Sequence, residues 1–563
     1  MNNLETKLYR LNKCKYPLYK AILGKYQGQN FQFCVDSVQP DPFAPPSKIR
    51  VLIPFEMTHF SQDFISGTIK TEAFCDAIGR IFAENIRMYV KENRGSGNSG
   101  FCGIRYGKQK IIPSNAVIIN NKNEIELKIL AGLPGFGRNI AAKEACALLI
   151  HEIPKVIQST FYSGNYFNYI SEFISLYQRQ EYLRAECKKK NLIAFIANGS
   201  LLARESSVSD KPMKNAIKFQ SPKSLEQTLT LSDGFSITGM AIPKGITLIA
   251  GSGYHGKSTL LNALGHAIVN HIAGDGREFC FVDRDAVFLR AEDGRPIAGA
   301  DISPFINNLP NNRSSKQFET NNASGSTSQA ANLIEALEAG TRVFLIDEDV
   351  SATNFLIRDP RMSLLVNDTD ETITPLTAAI PFLKQQEVSI IMVTGALGDF
   401  INLADHVIVA HDYQYQDATI QAREIAQRYP LTAVDFSEFK FSSNRKIMYN
   451  LSYDGKKNKP FLKSENSKIL FGKKTIDLTL WPHLFDISQY ETLGAILAYA
   501  NDKGYFKEPI IKVWDLISKD IHQYGWDIFS TTSSESWRYI VATRPVDWHA
   551  ALCRLRNLRT VIS

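Results

Sequence analysis

Eight consecutive residues, Gly251-Ser252-Gly253-Tyr254-His255-Gly256-Lys257-Ser258, restrict what this chain can fold into more than any other part of it. They fit the pattern G-x-x-x-x-G-K-[ST]. The apolar run Ile246-Thr247-Leu248-Ile249-Ala250 precedes them, and the helical pattern Thr259-Leu260-Leu261-Asn262-Ala263-Leu264 follows. Strand, glycine loop and helix in that order predict a phosphate-binding loop in an α/β fold. Small residues let the backbone N–H groups wrap phosphate, and the positive end of the helix adds to the attraction. Lys257 is placed to reach the β- and γ-phosphates and Ser258 to ligate Mg²⁺. Residues Gly251 through Ser258, with Thr259, are therefore the candidate ATP contacts, His255 through its backbone rather than its ring.

A second strand, Val343-Phe344-Leu345-Ile346, ends in Asp347-Glu348. An acidic pair at that position supplies one carboxylate, Asp347, to hold Mg²⁺ through water. The other, Glu348, polarises the attacking water as general base. Upstream, Asn322-Ala323-Ser324-Gly325-Ser326-Thr327-Ser328-Gln329 opens a helix at Ala330 to Ala339, a further anion site by the same helix-end physics. One nucleotide does not need two such sites from one chain, so the redundancy points to a second protomer.

The succession of these motifs, followed by Ser351-Ala352-Thr353-Asn354, resembles an ATP-binding-cassette (ABC) ATPase with its signature and D-loop. Longer strings extend the likeness: Arg277-Glu278, Asp283 to Gly294, Asp301 to Pro310, Asn322 to Gly340 and Ile346 to Asn354 resemble the soluble family of predicted ATPases of the ABC class. Gly95 to Gly100 and Ala542 to Arg559 carry it nearly end to end. The resemblance implies a P-loop ATPase core, ATP and Mg²⁺ as ligands, and a head-to-tail homodimer. In that dimer Ser324 and Gly325 of one chain complete the γ-phosphate site built on Gly251 to Ser258 of the other. Lys257, Glu348 and Ser324 are then the expected catalytic residues, and Ser258 and Asp347 the metal ligands.

Three departures bear on turnover. The signature reads Ala323-Ser324-Gly325-Ser326-Thr327, keeping Ser-Gly but losing the later glycine of LSGGQ. After Ser389-Ile390-Ile391-Met392-Val393, where ordinary cassettes place a switch histidine, the chain has Thr394-Gly395-Ala396-Leu397-Gly398-Asp399. His406 and His411 flank the next strand and read as ordinary surface or core histidines. No convincing Q-loop glutamine lies near Asp301 to Asn308, and no rule picks the adenine-stacking aromatic. These gaps leave open a second reading, an ATP-switched binding or assembly protein with little turnover that acts on a protein partner.

At 563 residues the chain is too long for one core, and the boundaries read as an N-terminal α+β domain (1–163), an ABC-type core (164–430), a basic segment (431–475) and a helical C-terminal region (476–563). The net charge of +7 is mild, yet Lys440 to Lys474 carries ten basic residues against Asp454 and Glu465. Aromatics, including Phe439, Phe441, Tyr449, Tyr453, Phe461 and Phe471, are interleaved there. Cations for phosphate and rings for bases suit a single-stranded nucleic acid, RNA before DNA, with Lys446, Lys456, Lys457, Lys459, Lys473 and Lys474 as candidate contacts. A solvated linker is the bland reading of the same charges. Near the end, Leu552, Leu555 and Leu558 read as one face of a short helix, leaving Arg554, Arg556 and Arg559 on a solvated basic side.

The glycine-rich loops Arg94 to Gly100 and Gly132 to Arg138 read as flexible turns or as anion contacts; no Lys-Ser/Thr follows the first, so it is not a second P-loop. Eight scattered cysteines without a CxxC pair read as reduced thiols. No apolar run is long enough to span a bilayer, and the N-terminus lacks a secretory pattern. The expectation is a cytoplasmic protein that does not engage membrane.

Overall fold

The computed structural model describes residues 1–562 apart from 164, 207, 311–312, 367–370, 432–435, 437–443, 449–450, 452–461, 466 and 531–536. They form two compact units, one of residues 1–178 with 524–542, the other of residues 179–523 with 543–563.

The first unit is built on an antiparallel sheet in the order Gly24–Gln27, Gln32–Ser37, Ser47–Pro54, Glu124–Ala131, Cys102–Gly103, with Val117–Ile119 also paired to Glu124–Ala131. Strand Ser47–Pro54 alternates buried and half-buried positions along its length, as a strand with one face on a core must. Helix Thr68–Tyr89 supplies Phe74, Ile78, Ile81 and Phe82 to that core. Far along the chain, Asp527 belongs to the same unit and pairs with the buried Lys128 of the sheet.

The two glycine loops of this unit are locked rather than flexible. N–H groups of Ser96, Asn98 and Gly100 donate to the carbonyls of Gly135, Pro42 and Gly132 at 2.8, 2.7 and 2.8 Å. A Cβ at Gly132 would lie 1.7 Å from the Asn98 carbonyl, and one at Gly95 would lie 2.2 Å from that of Gly135. These glycines permit close backbone packing, and the donors an anion nest would need are largely spent within the protein.

The second unit carries the P-loop. Its central sheet uses β1 (Ile246–Ala250), β2 (Val287–Phe288), β3 (Val343–Asp347), β4 (Ser389–Thr394), β5 (His406–His411) and β6 (Gln414–Asp417). The order across it is β2-β3-β4-β1-β5-β6. All neighbours are parallel except β5 and β6, which form a hairpin. Parallel strands are covered on both faces, which is why β1, β3 and β4 read as unbroken apolar runs.

Helix α1 (Lys257–His266) follows the P-loop into the core with Leu260, Leu261 and Leu264 buried. One apolar cluster joins it to Ile249, Leu345, Ile391 and Val393 of the parallel sheet and to Ile196, Met240 and Ile242 of a second, antiparallel sheet. That sheet runs Glu226–Thr230, Ser236–Pro243, Leu192–Ala197, Cys280–Val282, and its first two strands form a hairpin around Ser232-Asp233-Gly234. Helices α2 (Gly325–Glu338) and α3 (Pro545–Cys553) complete the parts used below. Among the described residues no helix is long and apolar enough to cross a membrane.

Candidate nucleotide site

Register fixes the site. In the parallel sheet Ala250 of β1 is level with Thr394 of β4, and Val393 is level with Asp347 of β3. The P-loop, the acidic pair and the loop after β4 therefore leave the same carboxyl edge on adjacent strands, where α/β sheets bind ligands.

The P-loop needs its glycines. Gly251 and Gly256 are left-handed at φ 142° and 92°, and a Cβ on Gly251 would lie 2.5 Å from the Ala410 carbonyl. The Lys257 ammonium folds back onto its own loop, donating to the carbonyls of Gly251 at 2.6 Å and Ser252 at 2.7 Å. Those bonds hold a cation where the loop is shaped to receive phosphate, and they can be exchanged for phosphate oxygens. Ser258 and Thr259 occupy the first turn of α1, where N–H groups have no helical partner. Tyr254 is fully exposed and left-handed at φ 66°. This donor set fits a nucleotide triphosphate with its Mg²⁺.

Asp347 ends β3 and caps the short turn that follows, accepting from the Asp349 N–H at 3.1 Å. Glu348 is where sequence reasoning fell short. The Thr394 hydroxyl donates to its Oε2 at 2.6 Å, and the N–H groups of Gly395 and Ala396 donate to the same oxygen at 2.8 and 3.1 Å. Partial burial alone would raise this carboxyl; the Thr394 hydroxyl and the backbone donors outweigh it and hold it below its ordinary value. The segment in place of a switch histidine thus grips the expected base by one oxygen, and none of the three bonds uses Oε1. A small-residue stretch, Thr-Gly-Ala, directly after a buried strand was the available signal.

Ser324 stands at the N-cap of α2, exposed, with its hydroxyl on Thr327 at 2.9 Å rather than on the helix backbone. Gly325 is closely packed: a Cβ there would lie 3.1 Å from Asp293 Oδ1 and in ordinary contact with Ala352 Cβ at 3.7 Å. Buried Gln329 was not foreseen as a contact: it donates to Ser351 Oγ at 3.0 Å and accepts from the Ala352 N–H at 2.8 Å. It ties the helix opened by Ser324 to the segment leaving Asp347-Glu348. The His255 ring is also used, accepting the Asp412 N–H at 2.9 Å, where the sequence suggested only a backbone role.

Several basic residues are not where the sequence suggested. Arg554 is buried just beyond α3, which ends at Cys553 and so carries Leu552 alone of the three leucines. Its guanidinium grips Glu292 at 2.6 and 3.0 Å, reaches Asn332 at 3.0 Å and lies over the Trp481 ring. Arg445, counted in the basic segment, is buried on Glu338 at 2.5 Å and on the Ala298 carbonyl at 2.8 Å. Arg295 pairs with Glu335 at 2.5 Å. Together these pairs fasten α2 to its surroundings.

Lys446 is half-buried in a short strand, and Lys473 and Lys474 sit at the turn of the hairpin Lys468–Phe471 and Lys474–Asp477, with Lys473 exposed. Phe471 is buried and unavailable for stacking. Lys456, Lys457 and Lys459, with Phe439, Phe441, Tyr449, Tyr453 and Phe461, lie outside the described residues. All eight cysteines are free thiols.

With this geometry in place, comparison with known proteins adds the following. A family model for the P-loop domain of ABC ATPases matches residues 167–446. A model described as the N-terminal part of ATPases of the ABC class matches residues 1–163, and one described as the MRB1590 C-terminal domain matches residues 462–561. The uncharacterized protein MJ1628 of Methanocaldococcus jannaschii is 31% identical over 264 residues, 44% of this chain and 57% of its own length. The match thus spans a little over half of that relative. Among solved structures, the ATP-binding cassette MJ1267 of an ABC transporter in its ADP conformation is 12% identical, covering 36% of this chain and 93% of its own at a TM-score of 0.23. For cbiO1 from Clostridium perfringens, part of the transporter complex cbiONQ, the figures are 14%, 43%, 96% and 0.24.

Proposed function

The chain belongs to the ATPases of the ABC class, and from that premise we propose that it hydrolyses Mg-ATP between two head-to-tail copies of itself. The observation that carries the reading is the convergence of Lys257, Asp347 and Glu348 on one sheet edge, with Glu348 already oriented by Thr394, Gly395 and Ala396.

On nucleotide entry Lys257 exchanges two loop carbonyls for phosphate oxygens, and the N–H groups from Gly253 to Thr259 take the remaining charge. The Ser258 hydroxyl, and Asp347 through water, would hold Mg²⁺, which when bound would supply positive charge against that developing between the phosphates. Glu348 takes the proton of the attacking water through Oε1, while Oε2 stays on its three donors. Ser324 faces solvent on its own chain and is free to complete the site of a partner. Exposed Val350, Met362, Leu364 and Leu365 follow Glu348 closely in sequence and give such a contact an apolar component.

Turnover by the wild type and by Glu348→Gln tests this. A loss of about 10²-fold or more in kcat with nucleotide still bound is expected; equal rates would remove Glu348 as base and favour the ATP-switched binding protein.

The cycle is coupled, in this proposal, to a single-stranded nucleic acid, RNA first. Two features support it: the basic stretch from Lys440 to Lys474, Arg445 excepted because it is spent on Glu338, and in the first unit the exposed rings of Phe43, Phe101 and Phe136 on loops locked by close glycine packing, with Arg138 exposed two residues beyond Phe136. Replacing Lys456, Lys457 and Lys459 with Glu should weaken RNA binding at least tenfold and flatten its salt dependence. An unchanged salt slope would leave the protein-partner reading in its place.

A further inference from the structure

In a P-loop the residue before the second glycine is asked only for its backbone. Here it is His255, and its ring meets a second element. β5 ends at His411, and the turn into β6 holds Asp412 and Tyr413 in left-handed conformations at φ 47° and 61°. That turn is anchored onto the P-loop by the Asp412 N–H on His255 Nδ1 at 2.9 Å and the Tyr415 hydroxyl on the Gly256 carbonyl at 3.1 Å.

The consequence is a cluster of metal-ligand type that ATP chemistry does not require. The imidazole centroids of His255 and His411 are 5.0 Å apart. The Asp412 carboxylate reaches a nitrogen of each ring, with Oδ1 3.3 Å from His255 Nδ1 and Oδ2 3.5 Å from His411 Nε2. One donor atom from each residue falls within 4.8 Å of the other two, and among the described residues this is the group of three that does so. Ligands about 2.1 Å from a tetrahedral ion lie about 3.4 Å apart, which is the size of both His–Asp separations. His411 and Asp412 are largely exposed, so solvent can supply a remaining position.

We propose that His255, His411 and Asp412 bind a transition-metal ion of the Zn²⁺ class. Two imidazoles and one carboxylate select such an ion over Mg²⁺, which prefers all-oxygen coordination. The site is separate from the Mg²⁺ position at Ser258 and Asp347. Binding displaces the Asp412 N–H from His255 Nδ1 or uses Nε2 instead, so the ion competes with a hydrogen bond the turn already makes. Once bound, it ties the β5–β6 turn to the loop that must reshape around phosphate, so metal and nucleotide affinities are linked reciprocally.

The test is titration of the nucleotide-free full chain with Co²⁺, read by its visible d–d absorption, followed by displacement with Zn²⁺. One ion per chain is expected. His411→Ala and Asp412→Asn, both exposed positions, should each weaken binding at least tenfold without unfolding the chain, while Ser258→Ala should leave it unchanged. Absence of stoichiometric binding, or binding that His411→Ala does not alter, overturns the proposal. Because the readout uses neither nucleotide nor turnover, its failure is separable from failure of the ATPase reading.

Discussion

Two clusters of charge in the second unit are built on opposite plans. At the sheet edge Lys257 is held by loop carbonyls that a ligand can replace, and Glu348 is held through one oxygen by one hydroxyl and two N–H groups, which leaves its other oxygen to a ligand. Around α2 and α3, Arg554, Arg295 and Arg445 meet Glu292, Glu335 and Glu338 in a buried network. His549 joins it: burial opposes its charge, but Cys553 and Glu338 push its imidazole up to about 10. Both clusters consist of ordinary acids and bases. What separates them is whether the charged group is spent on side chains buried for good or keeps an atom that a ligand can engage, and that decides which cluster acts and which fastens.

The largest break in this contrast comes from the permanent side. Arg554→Ala leaves Glu292 buried without its bidentate partner and Asn332 short of a donor, which should cost about 3–5 kcal/mol in denaturant unfolding. Arg554→Met should cost nearly as much despite keeping the stem, because the uncompensated carboxylate is the larger loss. Pairing Arg554→Met with Glu292→Leu should recover part of it. If Arg554→Met is neutral by itself, the network is not a fastening.

The exchangeable side should respond in rate instead. Thr394→Val removes one donor from the Glu348 carboxylate, and a hydrogen bond to a charged group is worth about 1.5–3 kcal/mol. The expectation is a fall of about 10-fold or more in kcat with KM for ATP nearly unchanged, rescued by Thr394→Ser. The sign in pH follows from the same bond. Its loss lets the Glu348 carboxyl titrate nearer its ordinary value, so the acidic limb of kcat should move to higher pH. A KM change without a kcat change would mean that Thr394 serves nucleotide binding.

The same contrast explains what was legible in the sequence. Strand, P-loop and helix could be read because their chemistry is local: the glycines, Lys257 and Ser258 act within eight residues, and buried parallel strands advertise themselves as apolar runs. Asp347-Glu348 was legible for the same reason. The partners of Glu348 were not, because Thr394 is 46 positions away and was known only as the residue standing where a histidine was expected. Arg554 and Arg445 were misread as solvated because charge in sequence carries no sign of its partner; Glu292 lies 262 positions from Arg554. The glycine loops of the first unit failed differently. Glycine marks both an open nest and a close backbone approach, and the Gly132–Asn98 contact that decides between them is long-range.

Gln329 is where the two plans meet, and its predicted effect is the smallest. It sits on α2, the helix the permanent network fastens, and its amide holds Ser351 and Ala352 just beyond Glu348. Gln329→Ala deletes the bonds to Ser351 and Ala352 and a longer one to the Leu289 carbonyl, and at roughly 1 kcal/mol each it should lower stability modestly. Its kinetic effect should be only a few-fold. The informative quantity is which constant moves. If α2 carries Ser324 toward a second protomer as one rigid piece with the segment after Glu348, loosening that piece should raise the protein concentration needed for half-maximal turnover while KM for ATP stays put. A change confined to KM would place Gln329 with the exchangeable cluster, and would mean that the fastening stops at Asn332, one turn further along α2.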